Sequence, residues 1–294
     1  MTAARPIVLL AATLVITYIA APLSRPQAAP WAISQAAPRA ISQAAPRAIS
    51  QAAPRAISQA APRAMSQAAS GATTSHAASG ATAHAASQNP VLVVGGIRAE
   101  QKTLDKMVSA LEARGFRASS VQLAGNPSGA AALPKSARVV AGRAAEIRKK
   151  TGADRVDVVG HSMGGLALRH YLKSLGGHKH VSTYISVGTP HEGDWLGLLC
   201  AATAQGCRDL VPSSKFLKRL NAPPPIPPGV RAFHLFSDQG TGEKNPLPTA
   251  TNIRIQAFCP GRRVEHASEL ADAAVQDLVV SILHGGPPAT TCPT

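Results

Sequence analysis

Three residue types that together can cleave an acyl bond stand far apart in this chain: a serine, a carboxylate and a histidine. The serine is Ser162, in V-D-V-V-G-H-S-M-G-G, residues Val156 to Gly165. A short apolar run enters a glycine, and helix-forming residues follow the serine. The core of the motif, Gly160-His161-Ser162-Met163-Gly164, is a G-x-S-x-G pattern. Between a strand and a helix, that pattern holds a serine on a sharp turn with its hydroxyl exposed. Outside that context it is a glycine-rich turn with an ordinary serine. A serine hydroxyl is a weak nucleophile, so it needs a base within hydrogen-bond reach and a carboxylate to orient that base.

On a strand-turn-helix of this kind the partners follow the serine in the order acid, then histidine. The acid expected is Asp238, in S-D-Q-G just after the apolar run Phe233-His234-Leu235-Phe236. Glu243, in the same loop, is the runner-up; Asp194 and Asp209 are the other acids weighed. An Asp at Asp238 also suits a turn. The base expected is His266, in G-R-R-V-E-H after the last predicted strand, in preference to His178, His180, His191 and His284. Two backbone N–H groups should stabilise the oxyanion. One belongs to Met163, the residue after the nucleophile, and the other to Ile97 in the Gly95-Gly96-Ile97 turn, with Gly96 as the alternative donor.

The elements that must position these groups alternate. Strands are predicted at Pro90–Val94, Ala118–Leu123, Arg155–Val159, Val181–Val187, Arg231–Phe236 and Asn252–Phe258. Helices are predicted at Leu104–Arg114, Ala137–Thr151, Met163–Leu175 and Asp272–Leu283. Alternation of this kind implies an α/β fold with a mostly parallel central sheet and helices on both faces, and functional loops at the carboxyl ends of the strands.

Composition divides the chain. No acidic residue occurs before Pro90, and six arginines account for the positive charge there. Residues 1–29 read as an export signal: Arg5, then the apolar run Ile7 to Ala21, short for a membrane span, with an uncleaved anchor as the alternative. Residues 30–89 read as a disordered linker. An eight-residue repeat, A-A-P-R-A-I-S-Q and its variants, fills Ala28 to Gln67 and offers too little apolar surface to offset ordering. A surface-binding role for the repeat is the competing reading. Residues 90–294 remain as the catalytic domain, enough chain for one buried core.

The net charge is +15, yet aromatics make up only 3% and no basic stripe interleaved with aromatics appears, so nucleic acid is not an expected partner. The charge suits weak attraction to an anionic envelope surface. Cysteine usage agrees with export. Of three pairings open to four cysteines, Cys200–Cys207, close in sequence, is favoured, leaving Cys259–Cys292. No metal site is expected, since no C-x-x-C pair occurs.

Taken together, V-L-V-V-G-G-I, V-V-G-H-S-M-G-G, V-G-T-P-H-E-G, C-R-D-L-V-P-S-S-K-F-L-K-R-L-N and N-I-R-I-Q-A-F-C-P-G-R-R-V-E-H resemble the secreted bacterial triacylglycerol lipases of the α/β-hydrolase fold, of the small, lid-poor kind. The resemblance spans roughly Pro90 to Leu283. It implies Ser162, Asp238 and His266 as the triad and Ile97 and Met163 at the oxyanion hole. Two departures stand out. Gly95-Gly96 replaces the family's usual His-Gly, and Asp238 lacks the apolar and proline residues that usually follow the acid. An acyl pocket is expected above Ser162, lined partly by Trp195, Leu196 and Leu198 and touched by Gly96 and His161, with W-L-G-L-L either a contact wall or small lid, or packing under a disulfide.

These readings lead to a secreted, monomeric serine hydrolase acting on lipid or other ester substrates, acyl glycerols among them, without a cofactor. The alternatives are an acyltransferase, a thioesterase or a polyester hydrolase on the same triad, and a non-catalytic envelope protein.

Overall fold

The computed structural model describes residues 89–293. The expected signal segment and the repeat linker up to residue 88 lie outside the described residues.

Six strands form one parallel sheet in the order β2-β1-β3-β4-β5-β6. They are β1 (Val91–Val94), β2 (Ala118–Val121), β3 (Val156–His161), β4 (Val181–Val187), β5 (Arg231–Phe236) and β6 (Thr251–Arg254). Successive side chains of a strand point to opposite faces, and β1 shows the consequence. Leu92 and Val94 pack into one core with Ala137, Val140 and Ala144 of α2 (Leu133–Thr151) and Leu166 of α3 (Met163–Ser174). Val91 and Val93 pack into the other, with Leu104 and Met107 of α1 (Gln101–Glu112). The closing helix, here α7 (Ala273–Leu283), adds Val275, Leu278 and Ile282 to that second core. A strand apolar on both faces is thus covered on both faces, as parallel sheets require.

Helix ends follow local chemistry. α2 starts with Pro134 in its first turn, where a missing N–H costs nothing. At α7, Asp272 caps the amides of Ala274 and Val275 at 3.0 and 3.1 Å. Three short helices add to the expected ones: α4 (Gln205–Leu210) and α5 (Lys215–Asn221), between expected elements, and α6 (Ile255–Phe258). The last corrects one expectation, because the strand foreseen to Phe258 stops at Arg254. There the chain coils, with the Cys259 amide bonding back to Ile255 O at 3.0 Å. The Gln256 side chain anchors this turn by donating to Ser237 Oγ and Arg262 O, each at 3.1 Å.

Sulfur pairs close Cys200 to Cys207 and Cys259 to Cys292, with Cα separations of 5.7 and 5.6 Å. Among the described residues no helix is long and apolar enough to cross a membrane.

The chain leaves β1 toward β2 on one side and later returns to place β3 on the other. Loops diverge at such a reversal and leave a crevice beyond the carboxyl ends of the two strands. Gly95–Ile97 follows β1 and Ser162 follows β3, so both lie at that crevice.

Candidate active site

Ser162 sits where β3 turns into α3, with φ 54° and ψ −127°. A non-glycine residue at positive φ is uncommon and strained. Its neighbours hold it there: the Ser162 amide donates to Val187 O at 3.0 Å, and the Gly165 amide to Ser162 O at 3.1 Å. Gly164 makes the turn possible by its lack of a side chain, since a Cβ there would lie 2.5 Å from Val94 O.

Ser162 Oγ lies 3.0 Å from His266 Nε2. On the far side of the ring, His266 Nδ1 lies 2.8 Å from Glu243 Oε2. A carboxylate at Nδ1 fixes the proton on that nitrogen and leaves Nε2 free to accept from the serine hydroxyl. Glu243 is fully buried, and its Oε1 accepts from the Ser237 amide at 2.9 Å.

The carboxylate at His266 is therefore not Asp238, which sequence order favoured. After β5 the chain turns, with the Gly240 amide bonding to Ser237 O at 3.3 Å. That turn sends Asp238 outward, where its Oδ2 meets Arg254 Nη1 at 3.2 Å with the carboxylate 40% exposed. The same turn brings Glu243 back beneath the histidine. The other acids weighed are engaged elsewhere. Asp209 accepts from the Leu133 amide at 2.9 Å, and Asp194 accepts from the Leu196 amide and from Thr241 Oγ1, each at 2.8 Å.

No motif or spacing marks a second buried carboxylate, Glu269, three residues beyond His266. Its Oε2 lies 3.4 Å from His266 Nδ1 and 3.1 Å from His161 Nε2. His161 Nε2 also lies 2.9 Å from the carbonyl of His266, and the two imidazoles face each other at 4.8 Å. Both neighbours of that nitrogen are acceptors, so it carries a proton. The donor atoms of His161, His266 and Glu269 all lie within 4.8 Å of one another, a grouping these hydrogen bonds account for.

Electrostatics follow from the crowding. Burial, with the Glu269 charge adding to it, pushes the Glu243 carboxyl up, against the hydrogen bond from His266. Burial works against a charged His266, but Glu243 and Glu269 together raise it to about 10. Burial also works against a charged Glu269, yet His161 and His266 hold its carboxyl below the usual range.

A cavity of about 290 Å³ opens on the hydroxyl, lined by Gly96, Ile97, His161, Ser162, His266 and Leu270 among others. Gly96 presses against the nucleophile, since a Cβ there would lie 2.7 Å from Ser162 Cβ. Within its turn, the amides of Gly95, Arg98 and Ala99 donate to Val121 O, Ser128 O and Gly96 O, which leaves the Ile97 N–H outside these bonds. The Met163 N–H, at the first position of α3, has no acceptor within its own helix.

Trp195 and Leu196 are a further correction. They do not line the cavity at Ser162; they line a separate groove with Pro212, Thr241 and Gly242. Nor do they pack beneath the Cys200–Cys207 bridge. They stand on a 3-10 turn, Trp195–Leu199, whose only buried residue is Gly197, and are 66% and 57% exposed.

Residues 90–221 match the sequence family described as palmitoyl protein thioesterase. That stretch contains Ser162 and ends before Glu243 and His266. No curated protein matches the sequence. Among solved structures, lipase B of Aspergillus fumigatus is similar at 18% identity and TM-score 0.56, over 69% of this chain and 54% of that one. The Bacillus licheniformis lipase BlEst2 is similar in its propeptide form at 17% identity and TM-score 0.55, over 70% of this chain and 52% of that one. Its mature form gives 15% identity and TM-score 0.50, over 67% and 91%. The chain thus spans about half the length of the first two. At these identities the likeness concerns architecture, and the architecture is the α/β-hydrolase fold: a parallel central sheet, helices on both faces and a serine on the turn after β3.

Proposed function

We propose that this chain is a secreted serine hydrolase of carboxylic esters, a lipase or esterase, working through an acyl-enzyme on Ser162. The observation that carries the reading is the unbroken relay from Ser162 Oγ to His266 Nε2 at 3.0 Å and from His266 Nδ1 to Glu243 at 2.8 Å. In this reading Ser162 Oγ attacks the ester carbonyl while His266 Nε2 takes its proton. Glu243 orients the ring and balances the imidazolium. The N–H groups of Ile97 and Met163 receive the oxyanion. As the tetrahedral intermediate collapses, His266 returns the proton to the departing alcohol. Water, deprotonated by the same nitrogen, then releases the acid and frees the serine. Residues 90–294 form the catalytic domain and act as a monomer, with the segment before them exporting and spacing it. Two disulfides suit an oxidising compartment.

A thioesterase is the second reading, favoured by the family match over residues 90–221. The same relay serves a thioester, with the thiol as the leaving group. Turnover of p-nitrophenyl esters from acetate to palmitate, run beside palmitoyl-CoA, separates the two. Ester turnover well above thioester turnover supports the proposal, and the reverse order overturns it.

A further inference from the structure

The relay needs one carboxylate at His266 Nδ1, and the site holds two. Glu243 and Glu269 approach that nitrogen from different elements, at 2.8 and 3.4 Å, and both are fully buried. The fold makes room for the second one. Gly188, just after β4 with φ +58°, faces the Glu269 carboxylate, and a Cβ there would overlap its Oε2. Among the described residues Glu269 Oε1 has no hydrogen-bond partner, an arrangement a buried polar atom rarely adopts. Oε2 lies between His266 Nδ1 on one side and His161 Nε2 on the other, and the two carboxylates also act on each other directly. His161 in turn bonds the His266 carbonyl at 2.9 Å, so ring and backbone of the base are held by one pair.

We propose that Glu269, with His161, is a second positioning carboxylate for His266 that sets its pH profile on the alkaline side. This inference rests on the hydrolase reading above and concerns the regulation of the same site. Two carboxylates at one N–H place more negative charge there than a single imidazolium offsets, so the proton on His266 leaves only at higher pH. The charged and titratable groups around the ring are Glu243 from the loop after β5, Glu269 from its own 3-10 turn, His161 from the end of β3, and Arg98 and Glu100 on the cavity wall. His234 of β5 reaches Glu243 through its carbonyl at 2.7 Å. Of these, only the two buried carboxylates touch Nδ1.

The test is the dependence of kcat/KM on pH for wild type and Glu269→Gln, with a short-chain p-nitrophenyl ester and Ser162→Ala as the blank. Glutamine keeps an acceptor at Oε2 and removes the charge. The expected result is a rising limb that moves to lower pH by about one to three units, with KM little changed. A limb that stays in place while kcat falls uniformly means a merely structural role and overturns the proposal. A second measurement does not depend on turnover: the imidazole nitrogen shifts of His266, followed by NMR against pH in Ser162→Ala with and without Glu269→Gln. The midpoint should fall when the charge is removed; an unmoved midpoint overturns the proposal. If wild type turns over no acyl substrate, the hydrolase reading fails, and the NMR midpoints still decide the role of Glu269.

Discussion

His266 Nδ1 lies 2.8 Å from Glu243, which follows β5 by seven positions, while Asp238, two positions after the strand, faces Arg254 instead. The carboxylate that completes the relay comes from the far end of a loop that doubles back. Several consequences can be measured.

Glu243→Gln should leave the fold intact and lower kcat by roughly 10³–10⁴-fold, because the amide no longer holds the required histidine tautomer. Asp238→Asn should change kcat/KM by less than about twofold, since it removes only an exposed ion pair. Steady-state turnover of a p-nitrophenyl ester by both variants checks this. A large loss in Asp238→Asn with none in Glu243→Gln would reverse the assignment.

The contrast shows where sequence reasoning reached its limit. Strand and helix positions were legible because apolar runs such as Val91–Val94 and the period of α1 carry burial directly. Ser162 was legible because its turn needs small residues at fixed offsets, and His266 because it follows the last strand. The choice between Asp238 and Glu243 depended on how a loop of Ser, Gly and Thr folds back, which residue order does not encode. Glu269 was invisible for a related reason. Its partner His161 is 108 positions away, and only the sheet brings them together. An apolar run outside a regular element does not say which groove it faces: Trp195 and Leu196, expected at the acyl pocket, stand on a 3-10 turn that buries only Gly197 and line a separate groove.

Activity should rise with pH well above the range of an ordinary histidine. His266 is raised to about 10 and acts as base only when neutral. The wild-type kcat/KM limb is therefore expected on the alkaline side of pH 7. For stability the sign is the opposite. A histidine raised in the folded state stabilises fully below its unfolded value near 6.5, and that contribution disappears as pH rises through about 10. Activity profiles and melting temperatures from pH 7 to 11 check both.

Acid should destabilise the fold through two other histidines. Burial, foremost, lowers His191 well below its usual value and His234 to about 4. Both bond Ser186 Oγ, at 3.2 and 3.1 Å, inside the sheet. Below pH 6.5 the unfolded chain binds protons that the folded chain does not, so stability falls between about 6.5 and 4. Melting temperatures across that window should drop, and His234→Gln should flatten the drop.

Gly96→Ala should cost activity far more than it costs stability, although the added methyl also overpacks the turn by about 1–3 kcal/mol. The added methyl would meet Ser162 Cβ at 2.7 Å, beside the Ile97 N–H. Displacing an oxyanion donor lowers kcat by roughly 10²–10³-fold. Kinetics beside a thermal melt separates this from unfolding.

The central claim is that Ser162 is the nucleophile, and covalent labelling tests it most directly. The wild type, treated with a fluorophosphonate and digested, should carry the phosphonyl adduct on the peptide containing Ser162, with loss of ester turnover in proportion. Ser162→Ala should take up no label. Labelling of Ser162→Ala at another residue, or full turnover by a fully labelled enzyme, would contradict the account.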